Sequence, residues 1–250
     1  MLLSKLKRWW WVILLLPLVA VGGFAAWAEL GPSPMSEARA ALQRGEADDE
    51  VVVDLARWIT FRPEGEEVST GLVFYPGGRV EAAAYAPPAR TIAEDGYLVV
   101  LVPMPLDLAI LAPSRAAEIQ DAFPLIESWA IGGHSLGGAM AARYVHQHPG
   151  TVDGLVLWAA HPAEGNDLSG FDLDAVSIYG TRDELATPQT IDASRSLLPP
   201  RTAWVPIEGG NHAQFGWYGS QRGDGEATIS REAQQRVVIE ATVALLEEID

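Results

Sequence analysis

The chain has 250 residues and a formal net charge of −16, with 48% apolar and 20% charged residues. This length and composition favour one globular domain with a sizeable core and argue against wholesale disorder. The acidic balance excludes nucleic acid as a partner, and the absence of cysteine excludes disulfides, thiolate catalysis and cysteine-based zinc sites.

The first predicted element is an uncharged apolar segment, residues 9–27, with tryptophan at both ends. As a helix it would match the roughly 30 Å hydrocarbon thickness of a bilayer. Basic residues precede it and acidic residues follow it. Residues 1–28 are therefore predicted to be a single-pass membrane anchor with a cytoplasmic N-terminus and an extracytoplasmic catalytic domain. The alternative is a signal peptide cleaved at Ala26-Trp27-Ala28, which would yield a secreted protein.

Residues 29–50 are polar, with two prolines and a short helical pattern, and are predicted to be a linker. Residues 51–250 then alternate short apolar runs with helical patterns. The predicted strands are Val51–Asp54, Trp58–Phe61, Gly71–Tyr75, Tyr97–Val102, Trp129–Gly132, Gly154–Ala159, Val176–Tyr179 and Ala203–Ile207. The predicted helices are Pro87–Glu94, Ser114–Phe123, Leu136–His148, Pro188–Leu197 and Ser230–Glu248. This order predicts an α/β fold with a mostly parallel sheet of about eight strands and helices on both faces.

The most informative motif is Gly133-x-Ser135-x-Gly137, which lies between an apolar strand and a helical pattern. A nucleophile on a tight strand-to-helix turn has a strained backbone, and its neighbours two residues away must be small. The turn exposes the hydroxyl and directs the N-terminus of the helix at a developing oxyanion. The motif therefore predicts Ser135 as a nucleophile and Gly133 and Gly137 as parts of its turn.

A serine nucleophile needs a base that a third group holds in place. In a parallel sheet, functional groups lie at the carboxyl ends of the strands. Asp183 follows the predicted strand Val176–Tyr179, and His212 follows the strand Ala203–Ile207. We therefore expect Ser135, Asp183 and His212 to form a catalytic triad.

Other acids and histidines of the chain are candidates for these roles. Glu184 and Glu208 are the alternatives to Asp183. His134 flanks the nucleophile but is expected to point elsewhere, and His146 and His148 are expected to interact with the end of their helix. His212 therefore remains the preferred base.

Two backbone N–H groups are needed to stabilise an oxyanion. Leu136, directly after the nucleophile, is predicted to supply one of them. The second is expected from the loop after the strand Gly71–Tyr75, either from Gly78 or from Arg79, with Gly78 preferred.

Only residues 161–175 separate two predicted strands at the place where a lid would be inserted, which is too short for a helical cap domain. The cleft is therefore expected to be open and covered only by loops such as residues 216–228. His161, Trp217 and Tyr218 are candidates for lining the substrate pocket.

Four segments together resemble the α/β-hydrolase superfamily, and specifically its small, capless, dienelactone-hydrolase-like branch: GHSLGG, FYPGG, YGTRDELATP and GGNHAQFGWYG. The resemblance covers about residues 50–250 and implies Ser135, Asp183 and His212 as the triad. Dienelactone hydrolases proper use a cysteine nucleophile, which this chain lacks, so their own reaction is not expected here.

The predicted activity is cleavage of carboxylic ester-type bonds in a small-molecule substrate through an acyl-enzyme, with no metal or organic cofactor. Acyl transfer and peptidase activity would use the same three residues and remain alternatives. A non-catalytic exported binding protein is a further alternative from another class. Neither the natural substrate nor the oligomeric state is predicted.

Overall fold

The computed structural model describes residues 15–17, 19, 22–23, 31–43, 50–65 and 67–250. Within these ranges, no helix combines the length and apolarity that crossing a bilayer requires. The predicted membrane anchor, residues 1–28, lies for the most part outside the described residues.

One sheet of eight strands forms the centre of the domain, in the order β1-β2-β4-β3-β5-β6-β7-β8. The first two strands form an antiparallel hairpin, and β2 also pairs antiparallel with β4. All the other pairs are parallel. The strands are β1 Val51–Asp54, β2 Ile59–Pro63, β3 Thr70–Tyr75, β4 Leu98–Leu101, β5 Ser128–His134, β6 Gly154–Trp158, β7 Asp174–Gly180 and β8 Ala203–Ile207.

Helices cover both faces of this sheet. In the described part of the chain they are α1 Ser36–Ala41, α2 Ala86–Glu94, α3 Arg115–Ala122, α4 Leu136–Gln147, α5 Pro188–Ala193 and α6 Arg231–Ile249. Helices α2 and α6 pack on one face, and α3 and α4 pack on the other. The predicted α/β fold, a mostly parallel sheet of about eight strands with helices on both faces, is therefore confirmed.

Two hydrophobic cores, one on each face, explain why the central strands are apolar throughout. Along β3, Leu72 and Phe74 enter one core, whereas Val73 and Tyr75 enter the other. A strand that is covered on both faces has no solvent-facing side and needs no polar alternation. Each buried apolar side chain stabilises the fold by about 25 cal/mol for each Å² removed from water.

Several predicted element boundaries differ from the observed ones. Strand β5 continues past Gly132 because its ladder with β6 extends to the pairing of His134 with Trp158. The predicted helix Pro188–Leu197 ends early at Ala193, and the Ser194 hydroxyl there donates a hydrogen bond to the Ile191 carbonyl (2.7 Å).

The described part of the predicted linker, residues 31–43, packs on the domain instead of standing away from it. Ala38 is fully buried. The N–H of Met35 donates to the Trp217 carbonyl (2.8 Å), and the Arg90 guanidinium donates to the carbonyl of Ala41 (3.0 Å). Because this segment is polar overall, the small apolar face of α1 could not be predicted from its composition.

Candidate active site

Ser135 occupies the sharp turn between β5 and α4. Its backbone has φ +53° and ψ −122°, a left-handed region that is costly for any residue other than glycine. The N–H of Ser135 donates to the Trp158 carbonyl (2.9 Å), which ties the turn to the neighbouring strand. Strained residues of this kind cluster at functional sites, where the surrounding structure holds them in place.

Gly133 and Gly137 are required by the close packing of this turn. A Cβ atom on Gly133 would lie 2.5 Å from the carbonyl carbon of Gly137. One on Gly137 would lie 2.4 Å from the carbonyl oxygen of Pro76. Both positions therefore exclude any side chain, and the start of α4 is in direct contact with the loop after β3.

His212 and Asp183 form a buried pair at the ends of β8 and β7. His212 Nδ1 lies 2.7 Å from Asp183 Oδ2, and both side chains are almost completely buried. The second carboxylate oxygen, Oδ1, accepts the N–H groups of Leu185 (2.8 Å) and Ala186 (2.7 Å). Asp183 therefore has both oxygens engaged, and its orientation toward the imidazole is fixed.

The alternative acids and histidines lie elsewhere. Glu184 and Glu208 are exposed to solvent. His146 and His148 lie at the C-terminal end of α4, the end remote from Ser135. His148 Nδ1 contacts the Tyr144 carbonyl of that helix as expected, whereas His146 Nδ1 contacts the Asp167 carbonyl, which lies outside it.

The loop that carries Gly78 packs against the side chain of Leu136. A Cβ atom on Gly78 would lie 3.1 Å from the Leu136 side chain. The N–H of Arg79 already donates to the Asp107 carbonyl (2.7 Å). Among the residues that the structure describes, no hydrogen-bond acceptor is found for the N–H of Gly78 or that of Leu136. Of the two candidates in the loop, the geometry therefore favours Gly78.

A cavity of about 380 Å³ opens onto Ser135 and His212. His161, after β6, lines it together with Gln221. The rest of its wall is apolar and mostly small, consisting of Leu136, Ala139, Ala159, Ala160, Leu185 and Ala186. Ser135 and His212 are thus accessible from one shared space.

Trp217 and Tyr218 were expected to line this cavity, but neither is among the described residues that line it. The Trp217 indole packs near the Arg231 guanidinium and faces a separate surface groove. Tyr218 is buried, and its hydroxyl donates to Gln221 Oε1 (3.0 Å). Its contribution to the cavity is thus indirect, since it positions Gln221. The Trp217 N–H donates to the Ala84 carbonyl (2.8 Å), which attaches this part of the loop to the segment before α2.

Asp224 supports the loop that carries His212 and was not singled out from the sequence. Its carboxylate accepts the N–H groups of His212 (3.1 Å), Ala213 (2.8 Å) and Gly225 (2.8 Å). The sequence offers only an acidic residue in a glycine-rich loop, and no motif connects it with a histidine twelve positions earlier.

The electrostatic environment of the site includes a second histidine. The rings of His134 and His212 lie 4.4 Å apart between centroids. Complete burial, followed by the proximity of His212, holds the pKa of His134 well below its usual range. His134 is therefore neutral at physiological pH and adds no positive charge beside His212.

A serine on a strained strand-to-helix turn, together with a hydrogen-bonded His–Asp pair at the ends of later parallel strands, is the arrangement of an α/β-hydrolase. The sequence model of the alpha/beta hydrolase family matches residues 71–236. The chain belongs to this family, and family membership indicates a hydrolase.

Comparison with solved structures agrees at the level of the fold. The chain is similar to the crystal structure of a predicted CIB-like hydrolase from Thermoplasma acidophilum, with a TM-score of 0.55 and 16% sequence identity. The similarity covers 77% of this chain and 96% of that one. No curated protein matches the sequence.

Proposed function

We propose that the protein is a serine hydrolase of the capless, dienelactone-hydrolase-like branch, which cleaves carboxylic ester-type bonds through an acyl-enzyme. Ser135 is the nucleophile, His212 the general base and Asp183 the residue that orients the base. The observation that carries this proposal is the 2.7 Å contact between His212 and Asp183 beside the cavity that Ser135 also lines.

The first half of the reaction forms the acyl-enzyme. Ser135 Oγ attacks the ester carbonyl carbon while its proton passes to His212 Nε2, and Asp183 stabilises the resulting imidazolium. The N–H groups of Gly78 and Leu136 stabilise the oxyanion. The imidazolium then returns the proton to the leaving alkoxide, which departs as the alcohol.

The second half regenerates the enzyme. Water enters the cavity and gives a proton to His212 as its oxygen attacks the acyl carbonyl carbon. When the tetrahedral intermediate collapses, the carboxylic acid leaves and the proton on His212 returns to Ser135. The segment 159–173 between β6 and β7 consists of turns and irregular backbone, which leaves the cavity open to water.

The shape of the cavity favours short acyl groups. Its volume of about 380 Å³ is small for a ligand pocket, and four of the residues in its wall are alanines. The described residues that line it include no aspartate, glutamate, lysine or arginine. We therefore expect neutral, short-chain esters to be hydrolysed faster than long-chain or charged ones.

An esterase screen with p-nitrophenyl esters of increasing acyl length tests the proposal. The Ser135→Ala variant should lose activity by about 10⁴-fold or more. Ser196→Ala, which changes an exposed serine on a surface turn, is the matched control and should keep full activity. Ester hydrolysis by Ser135→Ala at the wild-type rate would rule out the assigned nucleophile.

We also propose that residues 1–28 anchor the enzyme, with the N-terminus in the cytoplasm and the hydrolase domain outside. The charge asymmetry supports this orientation, and the tryptophans at both ends support a segment that spans the bilayer. The full chain should resist alkaline extraction from membranes, and protease added to spheroplasts should degrade its domain. Recovery of a soluble protein that begins near Ala28 would instead identify a cleaved signal peptide.

A further inference from the structure

Tyr85 is a buried tyrosine that connects the loop after β3 with His134, the histidine whose ring lies next to that of His212. It ends a short 3-10 helix, Ala82–Tyr85, and its side chain is inaccessible to solvent. Its hydroxyl oxygen accepts the N–H of Gly77 (3.0 Å) and lies 2.8 Å from His134 Nδ1.

Tyr85 and His134 are both neutral. Burial raises the pKa of Tyr85, so the phenol keeps its proton. The Tyr85 oxygen accepts the Gly77 N–H and also shares a hydrogen bond with Nδ1 of the neutral His134. These hydrogen bonds connect Gly77 through Tyr85 to His134, whose ring lies 4.4 Å from that of His212 between centroids.

The packing around Gly77 shows how closely this pair fits against the loop. A Cβ atom on Gly77 would lie 2.8 Å from His134 Nδ1 and 3.0 Å from the Tyr85 hydroxyl. The Gly77 carbonyl in turn accepts the N–H of Val80 (3.1 Å). Both sides of the Gly77 residue are therefore held, and the next N–H along the chain is that of Gly78.

We infer that Tyr85 is a positioning residue, which holds the Gly77–Gly78 loop so that the Gly78 N–H points at the oxyanion. This inference rests on the proposed hydrolase function. Tyr85 touches neither Ser135 nor the substrate, and it acts only through Gly77 and His134. Loss of its hydroxyl should weaken transition-state binding and leave ground-state binding almost unchanged.

The test is the Tyr85→Phe variant, which keeps the ring and its packing against Phe74. Tyr75→Phe is the matched control. The Tyr75 hydroxyl is equally buried, accepts the N–H of Ala116 (2.8 Å) and donates to the Pro113 carbonyl (2.9 Å) on the opposite face of the sheet. Each variant loses two hydrogen bonds, so both should lower the melting temperature to a similar extent.

Only Tyr85→Phe should affect catalysis. We expect kcat to fall by about tenfold to a hundredfold, with little change in KM. This fall in kcat is no larger than the one caused by removing an oxyanion donor itself. The inhibition constant of a trifluoromethyl ketone, which becomes an oxyanion when Ser135 adds to it, should rise by the factor by which kcat/KM falls. Inhibition constants and KM do not depend on the fraction of folded enzyme, so a general loss of structure would not reproduce this result.

Two other results have distinct meanings. If Ser135→Ala is inactive and Tyr85→Phe matches Tyr75→Phe in kcat and in ketone affinity, the positioning role of Tyr85 is wrong and the hydrolase proposal stands. If Ser135→Ala remains active, the proposed function itself fails.

Discussion

Asp183 illustrates how single contacts define the chemistry of a residue. Its Oδ1 atom is held by the N–H groups of Leu185 and Ala186, which leaves Oδ2 for His212. A carboxylate oxygen only accepts, so the imidazole must carry a proton on Nδ1. The lone pair of Nε2 then remains available for the proton of Ser135, as a general base requires.

Replacing Asp183 by asparagine should therefore reduce kcat by about 10³- to 10⁴-fold, because the amide can present N–H₂ to the imidazole and favour the wrong tautomer. Steady-state kinetics with a p-nitrophenyl ester measures the effect. Glu184→Gln is the matched control, since the neighbouring carboxylate is exposed, and its kcat should equal that of the wild type. Equal losses in the two variants would contradict the role of Asp183.

Motifs and strand order were sufficient to select Ser135, Asp183 and His212 as neighbours, because the carboxyl ends of parallel strands meet at one edge. The catalytic roles of these residues remain predictions. Tyr85 could not be found in this way. Its contact with His134 joins positions 49 residues apart, and a tyrosine in an apolar run is typical of any core.

At the scale of elements, the loop of residues 216–228 supports the loop that carries the base. Asp224 accepts three backbone N–H groups, two of them from His212 and Ala213. Arg231, at the start of α6, donates to the carbonyls of Ala213 and Gly219. Arg231 therefore attaches the His212 turn to the final helix, and Asp224 attaches the same turn to the loop of residues 216–228.

The Asp224→Ala variant should lose about 1–3 kcal/mol of unfolding free energy, since it leaves buried N–H groups unpaired, and should also lower kcat as His212 becomes less ordered. Chemical denaturation and ester kinetics measure the two effects. Glu226→Ala removes an exposed carboxylate from the same loop and should change neither. Wild-type stability and kcat in Asp224→Ala would show that this loop does not position the base.

The types of the elements were predictable from the sequence, whereas the ends of the elements and the positions of side chains in loops were not. Apolar runs reveal a doubly covered strand, but the end of β5 at His134 depends on pairing with β6. Trp217 and Tyr218 were expected in the cavity because they follow His212 closely. The Trp217 N–H instead bonds the carbonyl of Ala84, more than a hundred residues earlier in the chain, and local sequence does not encode such a contact.

At the scale of the whole molecule, the unfolding free energy depends on pH because the folded protein buries His134 in its neutral form. The unfolded imidazole binds a proton near pH 6.5, whereas burial and the proximity of His212 lower its pKa in the folded protein. Below about pH 6.5 the unfolded chain therefore binds more protons than the folded one. Stability from this residue is fully present above that pH and is lost as the pH falls.

We expect the unfolding free energy of the wild type to decrease between pH 6.5 and 5 by up to about 1.4 kcal/mol per pH unit from this residue alone. The His134→Gln variant should show a shallower decrease over the same range in urea unfolding. His146→Gln removes an imidazole from the C-terminal end of α4 and is the control against which the change in slope is measured. Parallel profiles for the wild type and His134→Gln would contradict the buried neutral state.

The central claim is that Ser135 is made nucleophilic by His212 and Asp183. Its most direct test is to treat the protein with a fluorophosphonate probe and to locate the adduct by peptide mass spectrometry. We expect a single adduct on the peptide that contains Ser135, slowed strongly in His212→Ala and absent in Ser135→Ala. Modification of another residue, or undiminished labelling of Ser135→Ala, would contradict the account.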